Sequence, residues 1–406
     1  MVLALLACTT SEPQPDSVTW TEDVRPLIDA HCATCHGDGG LSFPLDTYDR
    51  ALAVAPAMAD SVADRRMPPF LADNTGECTT YSPARWLTEE EIDTVVAWVD
   101  AGSPEGPEIA REEPPEVEQL EPTHVLIPDQ PYTPEVGGDD DWRCFVVEPD
   151  LDEDLYLTGY QVVPENPGVV HHVAIFKPIS GQASEMVRAM DPDGAGYSCF
   201  GGANAPAGLW AIWSPGRSVY RLPEGTGVPL EAGVPLVVQV HYAEIEGDAP
   251  SELTEVRVEL TDEAKPLMPL WLLNDDFELA PDTAHAEDSQ DQTLYRMMLE
   301  LGWSDYATGD VLLHGVGGHM HLMGTSLRAE VRPESGEDAC LMDIRRWDYD
   351  WHDIYMLEDP VRASSADTIH IDCSWDTTGR EEPVYWGDNL EDEMCTILVL
   401  AEPIED

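Results

Sequence analysis

From residue 124 onward, apolar and polar residues alternate in short runs cut by Pro, Gly and Asp. That period-two pattern limits the fold more than anything else in the chain. The runs include LYLTGYQVV (155–163), VVHHVAIF (169–176), VPLVVQVHYA (234–243), TEVRVEL (254–260), TSLRAEV (325–331) and CTILVLA (395–401). Successive side chains on a strand face opposite ways, so such runs read as strands with a buried face. Many short strands, turn residues between them and little helical periodicity predict a mainly β fold of antiparallel sandwiches, jelly-roll-like. The remaining length fits two of them, 123–250 and 251–406, with a boundary near residue 250.

The first hundred residues read differently. WTEDVRPLIDAH (20–31) has the pattern of a short amphipathic helix. TEEEIDTVVAWVDA (88–101) reads as a second, with Thr88 and Glu91 at capping-box spacing. Ile92, Val95, Val96 and Val99 supply its apolar face, and Gly102 stops it. Between the helices stands HCATCHG (31–37). Two thiols at the spacing of Cys32 and Cys35 can form thioethers to haem vinyl groups, and the adjacent His36 becomes an axial ligand. The competing readings are a redox CxxC pair and half of a zinc site. The zinc reading wants a second Cys/His pair, and nearby only Cys78 offers itself. Haem c is the preferred reading. Met67, in the Pro-stiffened RMPPF loop (66–70), is the expected sixth ligand; its rival Met58 falls in the helical pattern APAMADSV. Residues 18–107 resemble the small c-type cytochrome domains fused to the N-termini of bacterial secreted enzymes, through the CHG motif, the MPP loop and the closing WVDAG helix. The resemblance implies a small all-α cytochrome c-like domain, 18–102, that transfers electrons. Residues 103–122 are rich in Pro and Glu and read as a linker.

Charge and cysteine usage bound the setting. The chain has 406 residues, 80 acidic and 20 basic, for a net charge of −60, and its lysines are Lys177 and Lys265. Such a surface repels nucleic acid and anionic membranes; adaptation to salt or to an acidic exported proteome accounts for it. Leu5-Leu6-Ala7-Cys8 resembles a bacterial lipobox followed by a polar tether, so 1–17 is expected to be a signal with a lipid anchor at Cys8. No later run approaches the roughly 20 apolar residues of a spanning helix. The expected location is the periplasm or the bacterial cell surface. Setting aside Cys8, Cys32 and Cys35 leaves Cys78, Cys144, Cys199, Cys340, Cys373 and Cys395. An even remainder in an exported chain permits three disulfides of unstated pairing.

Histidines carry the chemistry of the β region. His171-His172 lie in one strand run, His241 ends another, and His319 and His321 form an HxH in GGHMHLMG (317–324). On a strand, His319 and His321 would share a face and could clamp a metal, or could simply be solvated. Adjacent His171 and His172 would face apart unless a bulge intervenes, for which Pro164–Gly168 is a candidate. His31, His124, His285, His314, His352 and His370 lack such pairing and read as ordinary. Imidazole suits copper, zinc or iron, and a thioether in the set would favour copper. Spacing alone nominates Met323 for that thioether.

The ladder His171-His172, Gln239-Val240-His241-Tyr242, His319-Met320-His321 and Glu393-Met394-Cys395 resembles the copper type II ascorbate-dependent monooxygenases. These are the peptidylglycine α-hydroxylating and dopamine β-monooxygenase family, and the resemblance spans about 122–406. It implies one copper on His171, His172 and His241, and a second on His319, His321 and Met394 rather than Met323. It also implies the disulfides Cys373–Cys395 and Cys144–Cys199, leaving Cys78 and Cys340. The implied activity hydroxylates an sp³ C–H bond of a small organic substrate with O2 and an ascorbate-like reductant or redox protein. Gln239, on the strand face of His241, would shape the path between the coppers. The peptide-binding Arg and Tyr of the family are replaced by Gly317 and Leu398, so no peptide carboxylate anchor is expected and the pocket should be roomier and apolar. The fused haem c is expected to feed electrons to copper. The alternative is an exported, lipid-anchored electron-transfer or copper-binding protein without catalysis.

Overall fold

The computed structural model describes residues 18–37, 40, 42–111, 118–137, 141–243, 247–387, 389 and 391–404. Cys8 and the expected signal and tether lie outside these residues. The chain divides into two compact units, one of Met1–Pro68 with Trp86–Pro115 and one of Pro69–Arg85 with Glu116–Asp406.

The first unit is helical. A π-turn, Trp20–Val24, runs into Arg25–His31 and then Ala33–His36, and two longer helices follow, Tyr48–Ala63 and Glu89–Asp100. Thr88 and Glu91 cap the last reciprocally: the Thr88 N–H donates to the Glu91 carboxylate at 2.7 Å, and the Glu91 N–H to the Thr88 hydroxyl at 3.3 Å. Gly102, at φ 84, ends it. The core joins Trp20, Val24, Ile28, Met58, Val62, Ile92, Val95 and Trp98. Trp98 is the residue the apolar-face reading omitted. It is fully buried, whereas Val96 and Val99 are half-buried, because the large indole fills the gap against Trp20 at 5.9 Å.

The second unit is built from antiparallel sheets, with one short parallel pairing. In its first part a six-stranded sheet places Glu255–Thr261 between His124–Leu126 and Leu155–Val163. A five-stranded sheet centres on Leu236–Tyr242, flanked by Asp141–Val147 and Val170–Pro178. The alternating faces of the two sheets share one core, including Leu157, Val162, Val173, Ile175, Val238, Val240, Val256 and Val258. The expected boundary at residue 250 is therefore too early: Glu255–Thr261 fills a slot in the first sheet. The second part has two four-stranded sheets. One runs Met268–Leu273, Thr396–Pro403, Asp310–His319, Tyr355–Ser364; the other runs Ala286–Thr293, Thr368–Trp375, Gly324–Arg332, Ala339–Ile344. Leu236–Tyr242 and Thr396–Pro403 are buried at every residue, the mark of central strands covered on both faces.

Pro69–Arg85 was expected inside the helical domain and instead belongs to the β unit. Its backbone pairs with that unit at Asp73 N to Asp343 O (2.8 Å) and Ser82 N to Met356 O (3.0 Å). A disulfide, Cys78–Cys340, closes it across 262 residues. Cys144–Cys199 and Cys373–Cys395 form as the resemblance implied. Among the described residues no helix is long and apolar enough to cross a membrane. Together with three disulfides, that is consistent with an exported protein.

Candidate metal centre

The His171–His172 problem is solved by a register shift. Val170–Pro178 pairs with Leu236–Tyr242, but the pairing slips between Val170 and His172, leaving His171 out of the ladder. This bulge follows a 3₁₀ turn at Pro167–Val169 and turns both imidazoles to one side. His172 stands opposite His241 in the register, and Trp142 opposite His241 on its other flank. The Trp142 indole stacks on the His241 ring at 3.9 Å and 7°, fixing its plane. The Nδ1 atom of His172 lies 3.3 Å from that of His171 and 3.3 Å from that of His241. One ligand atom from each of the three falls within 4.8 Å of the others. Two nitrogens on one metal at about 2.0–2.1 Å sit roughly 3.3 Å apart in a tetrahedral arrangement, which matches the two separations from His172. Burial, with His241 and other histidines adding, holds the His172 imidazole well below its ordinary pKa, so it presents a neutral ring. A largely buried cluster of three imidazoles is the kind of donor set that copper or zinc takes.

The second set is assembled at a strand end. Asp310–His319 stops at His319, so His321 lies in the tight turn before Gly324–Arg332 rather than on the strand face expected for HxH. The rings still approach to 5.2 Å. What holds the turn is Glu393, which is fully buried. Its carboxylate accepts from His321 N (2.9 Å), Met323 N (2.6 Å), Met394 N (3.1 Å) and the Trp375 indole (3.0 Å). Burial nevertheless leaves that carboxyl above its usual pKa. His321 Nδ1 donates to the Asp392 carbonyl at 3.1 Å, so Nε2 is the nitrogen a metal would take. His319 Nδ1 sits 2.9 Å from His352 Nε2. Burial, then His352 and His321, hold the His319 imidazole well below its ordinary value.

Both sets reach one cavity of about 410 Å³. His172, His319, His321 and Met394 line it, with Phe176, Ile212, Trp271, Leu273 and Leu398 supplying apolar wall. Gly317 pairs with Leu398 in the register, and among the described residues no Lys or Arg faces this space. Met320 is fully buried and Met323 half-buried; neither lines the cavity. Gln239 does, and its amide donates to Gly202 O at 3.2 Å beside Cys199, bracing the disulfide loop. A second cavity, about 590 Å³, lined by Tyr160, Trp210, Arg217 and Met356, contains none of the six candidate ligands.

Five of the six histidines read as ordinary have everyday partners: His31 with Glu91 (3.0 Å), His124 with Thr123 (3.1 Å), His285 with Glu287 (2.9 Å), His314 with Glu402 (2.7 Å), and His370 with Asp291 (2.9 Å) and Asp372 (2.7 Å). His352 does not fit that reading. It stands between the two sets, 5.5 Å from the His172 ring and 5.0 Å from the His319 ring. Nothing in DWHD marks it, because it comes from a loop without periodicity. In the helical unit, His36 Nδ1 donates to the Phe43 carbonyl at 2.8 Å, so Nε2 is the nitrogen a metal would take. Cys32 and Cys35 take part in none of the three disulfides. Burial, with Cys35 and Asp29, pushes the Cys32 thiol up to about 12. Met67 packs half-buried against the helical core, and Met58 is buried within Tyr48–Ala63.

No curated protein matches the chain. Solved structures align only loosely. A Broad Bean Stain Virus structure covers 70% of this chain and 88% of its own at 8% identity and TM-score 0.24. An infectious bursal disease virus VP2 particle covers 69% and 71% at 8% and 0.20, and an allantoicase 66% and 80% at 6% and 0.17. Scores of that size carry no argument. The family comparison is specific: residues 307–400, which hold His319, His321 and Met394, match the C-terminal domain of the copper type II ascorbate-dependent monooxygenases and support a copper-dependent monooxygenase.

Proposed function

We propose that the β unit is a copper monooxygenase that hydroxylates an sp³ C–H bond of a small, neutral, largely apolar molecule. The observation that carries this is the cavity into which both sets reach: His172, one of three converging imidazoles, lines it together with His319, His321 and Met394, the last three inside the matched domain. His171, His172 and His241 would hold one copper, and His319, His321 and Met394 the other. When bound, the two coppers supply single electrons and O2 activation, so that substrate, O2, two electrons and two protons give alcohol and water. The chain's own residues do the rest. Trp142 fixes the His241 plane, Glu393 holds the turn that presents His321 and Met394, and the thioether favours reduced copper. Phe176, Trp271, Leu273 and Leu398 exclude water and select an apolar substrate. With Gly317 and Leu398 where a carboxylate anchor would stand, amidation of peptides is not the proposed activity. The two parts of the β unit are read as two sandwiches.

The helical unit is proposed to carry one haem c on Cys32 and Cys35, with His36 and Met67 as axial ligands. The His36–Phe43 hydrogen bond supports it, since iron-ligating imidazoles are oriented this way. The raised Cys32 thiol speaks against a redox-active pair, which needs a depressed one. Its proposed task is to deliver electrons singly to copper, alone or beside an ascorbate-like reductant. Export as a lipoprotein anchored at Cys8 belongs to the same reading.

The test is copper content with turnover. Purified protein, copper-loaded and freed of loose metal, should hold two coppers per chain and, once reduced, consume O2 in step with hydroxylated product. Two coppers without substrate-coupled O2 uptake would favour the electron-transfer or copper-binding alternative.

A further inference from the structure

His352 belongs to neither proposed ligand set, yet its ring lies between them. Its Nε2 is 2.9 Å from His319 Nδ1, and it is nine-tenths buried. Its other nitrogen, Nδ1, meets no hydrogen-bond partner among the described residues. An unpaired buried N–H is a cost that a phenyl ring in the same space would avoid. Packing therefore does not explain an imidazole here; the contact with His319 does.

The backbone around His352 is built to hold it still. The Ser214 hydroxyl donates to the His352 carbonyl at 3.0 Å. The next residue, Asp353, is nearly inaccessible and binds Arg85 at 3.1 Å, Arg217 at 3.1 Å, Tyr220 at 3.3 Å and the Ile354 N–H at 2.9 Å. Trp347 and Tyr349 close edge-on around the ring, each at 5.6 Å. A loop with no secondary structure is thus fixed by two arginines on one carboxylate, one residue from the imidazole.

We propose that His352 is a positioning residue: its Nε2 accepts the Nδ1 hydrogen of His319, fixing the tautomer and ring plane that turn His319 Nε2 to the metal. The general chemistry is that of a ligating histidine whose second nitrogen is held by an outer acceptor, here an imidazole in place of a carboxylate or carbonyl. Toward His172 the same ring makes only a tilted ring contact at 5.5 Å, which a phenyl ring would keep. The inference rests on the copper reading of the site.

The experiment uses full-length, copper-loaded protein and compares the parent with His352→Phe and His352→Gln. Affinity is measured at each site by chelator competition, with the Cu(II) EPR spectrum as a second readout. His352→Phe exchanges one unpaired buried N–H, on His352 Nδ1, for another, on His319 Nδ1, so its melting temperature should stay close to the parent's. It should weaken copper at the His319 site by about 10–100-fold and shift that site's EPR signal, while the His171/His172/His241 site stays unchanged. His352→Gln, with an amide oxygen acceptor, should recover part of the loss. Unchanged affinity and spectrum at the His319 site in His352→Phe would overturn the proposal. So would X-ray absorption in which the same variant loses a directly bound nitrogen, since His352 would then be a ligand. A parent protein that takes up no copper at all overturns the copper reading and this inference with it; two coppers in the parent with an indifferent His352→Phe overturns this inference alone.

Discussion

Replacing Glu393 by alanine is the sharpest test of how the second site is held. The carboxylate accepts four hydrogen bonds at 2.6–3.1 Å, from three backbone N–H groups and one indole, in a position with no solvent exposure. A hydrogen bond to a charged acceptor contributes about 1.5–3 kcal/mol, and a buried donor left alone costs about 1–3 kcal/mol. Four such donors would sum to roughly 4–12 kcal/mol if nothing relaxed. Water entering the vacated space, and the desolvation cost that raises the Glu393 pKa, reduce this, so a net loss of about 3–5 kcal/mol is expected. For a domain of this size that is a fall in Tm on the order of 10 °C. Glu393→Gln keeps one acceptor oxygen but turns an NH2 toward donors, and should fall between. The assay is thermal and urea unfolding of the apo protein, followed by copper titration. Met394 and His321 flank the lost carboxylate, so the second copper should be lost while the first is kept. A Glu393→Ala protein within about 1 kcal/mol of the parent, binding two coppers, would refute the reasoning.

Other expectations are independent of that one. His172→Ala removes the nitrogen shared by both 3.3 Å contacts, so copper content should drop from two per chain to one, read by metal analysis. Replacing Cys78 and Cys340 together by serine should cost about 2–4 kcal/mol in denaturant unfolding and open Pro69–Arg85 to proteolysis. Glu91 is predicted to carry pH-dependent stability: burial raises its pKa, but the Thr88 hydrogen bonds and His31 outweigh this and leave it lowered. A depressed carboxyl stabilises the fold above the unfolded value, about 4.3, and loses that contribution as pH falls through the folded value. Glu91→Gln should therefore flatten the acid limb of helical-unit unfolding monitored by circular dichroism.

Elements with a strict period were legible. The runs 155–163, 234–243 and 254–260 are strands, and Thr88–Glu91 is a helix cap, because each depends on neighbours within a few residues. The resemblance nominated Met394 over the nearer Met323 as a ligand, and of the two it is Met394 that lines the cavity. Less visible was the assignment of 69–85, whose place depends on a disulfide 262 residues long and on pairing with residues near 343 and 356. His352 was missed outright: no local pattern distinguishes it, and its meaning arises only when its loop is folded against His319.

What the amino-acid order settles by itself is local: strand period, capping, the CxxCH spacing, the count of cysteines and the acidic surface. Each follows from geometry repeated over two to seven residues or from a sum over the chain. What tertiary structure alone decides is convergence. Val170 and His172 slip by one residue, so two adjacent imidazoles face the same way; a buried carboxylate gathers donors from residues 321, 323, 375 and 394; and one imidazole settles between two ligand sets. Met394 apart, which adjoins Glu393, these are contacts between residues 18 to 72 apart in the chain, or one-residue breaks in a ladder. Their energy appears only when distant strands pack, which is why no window of sequence contains it.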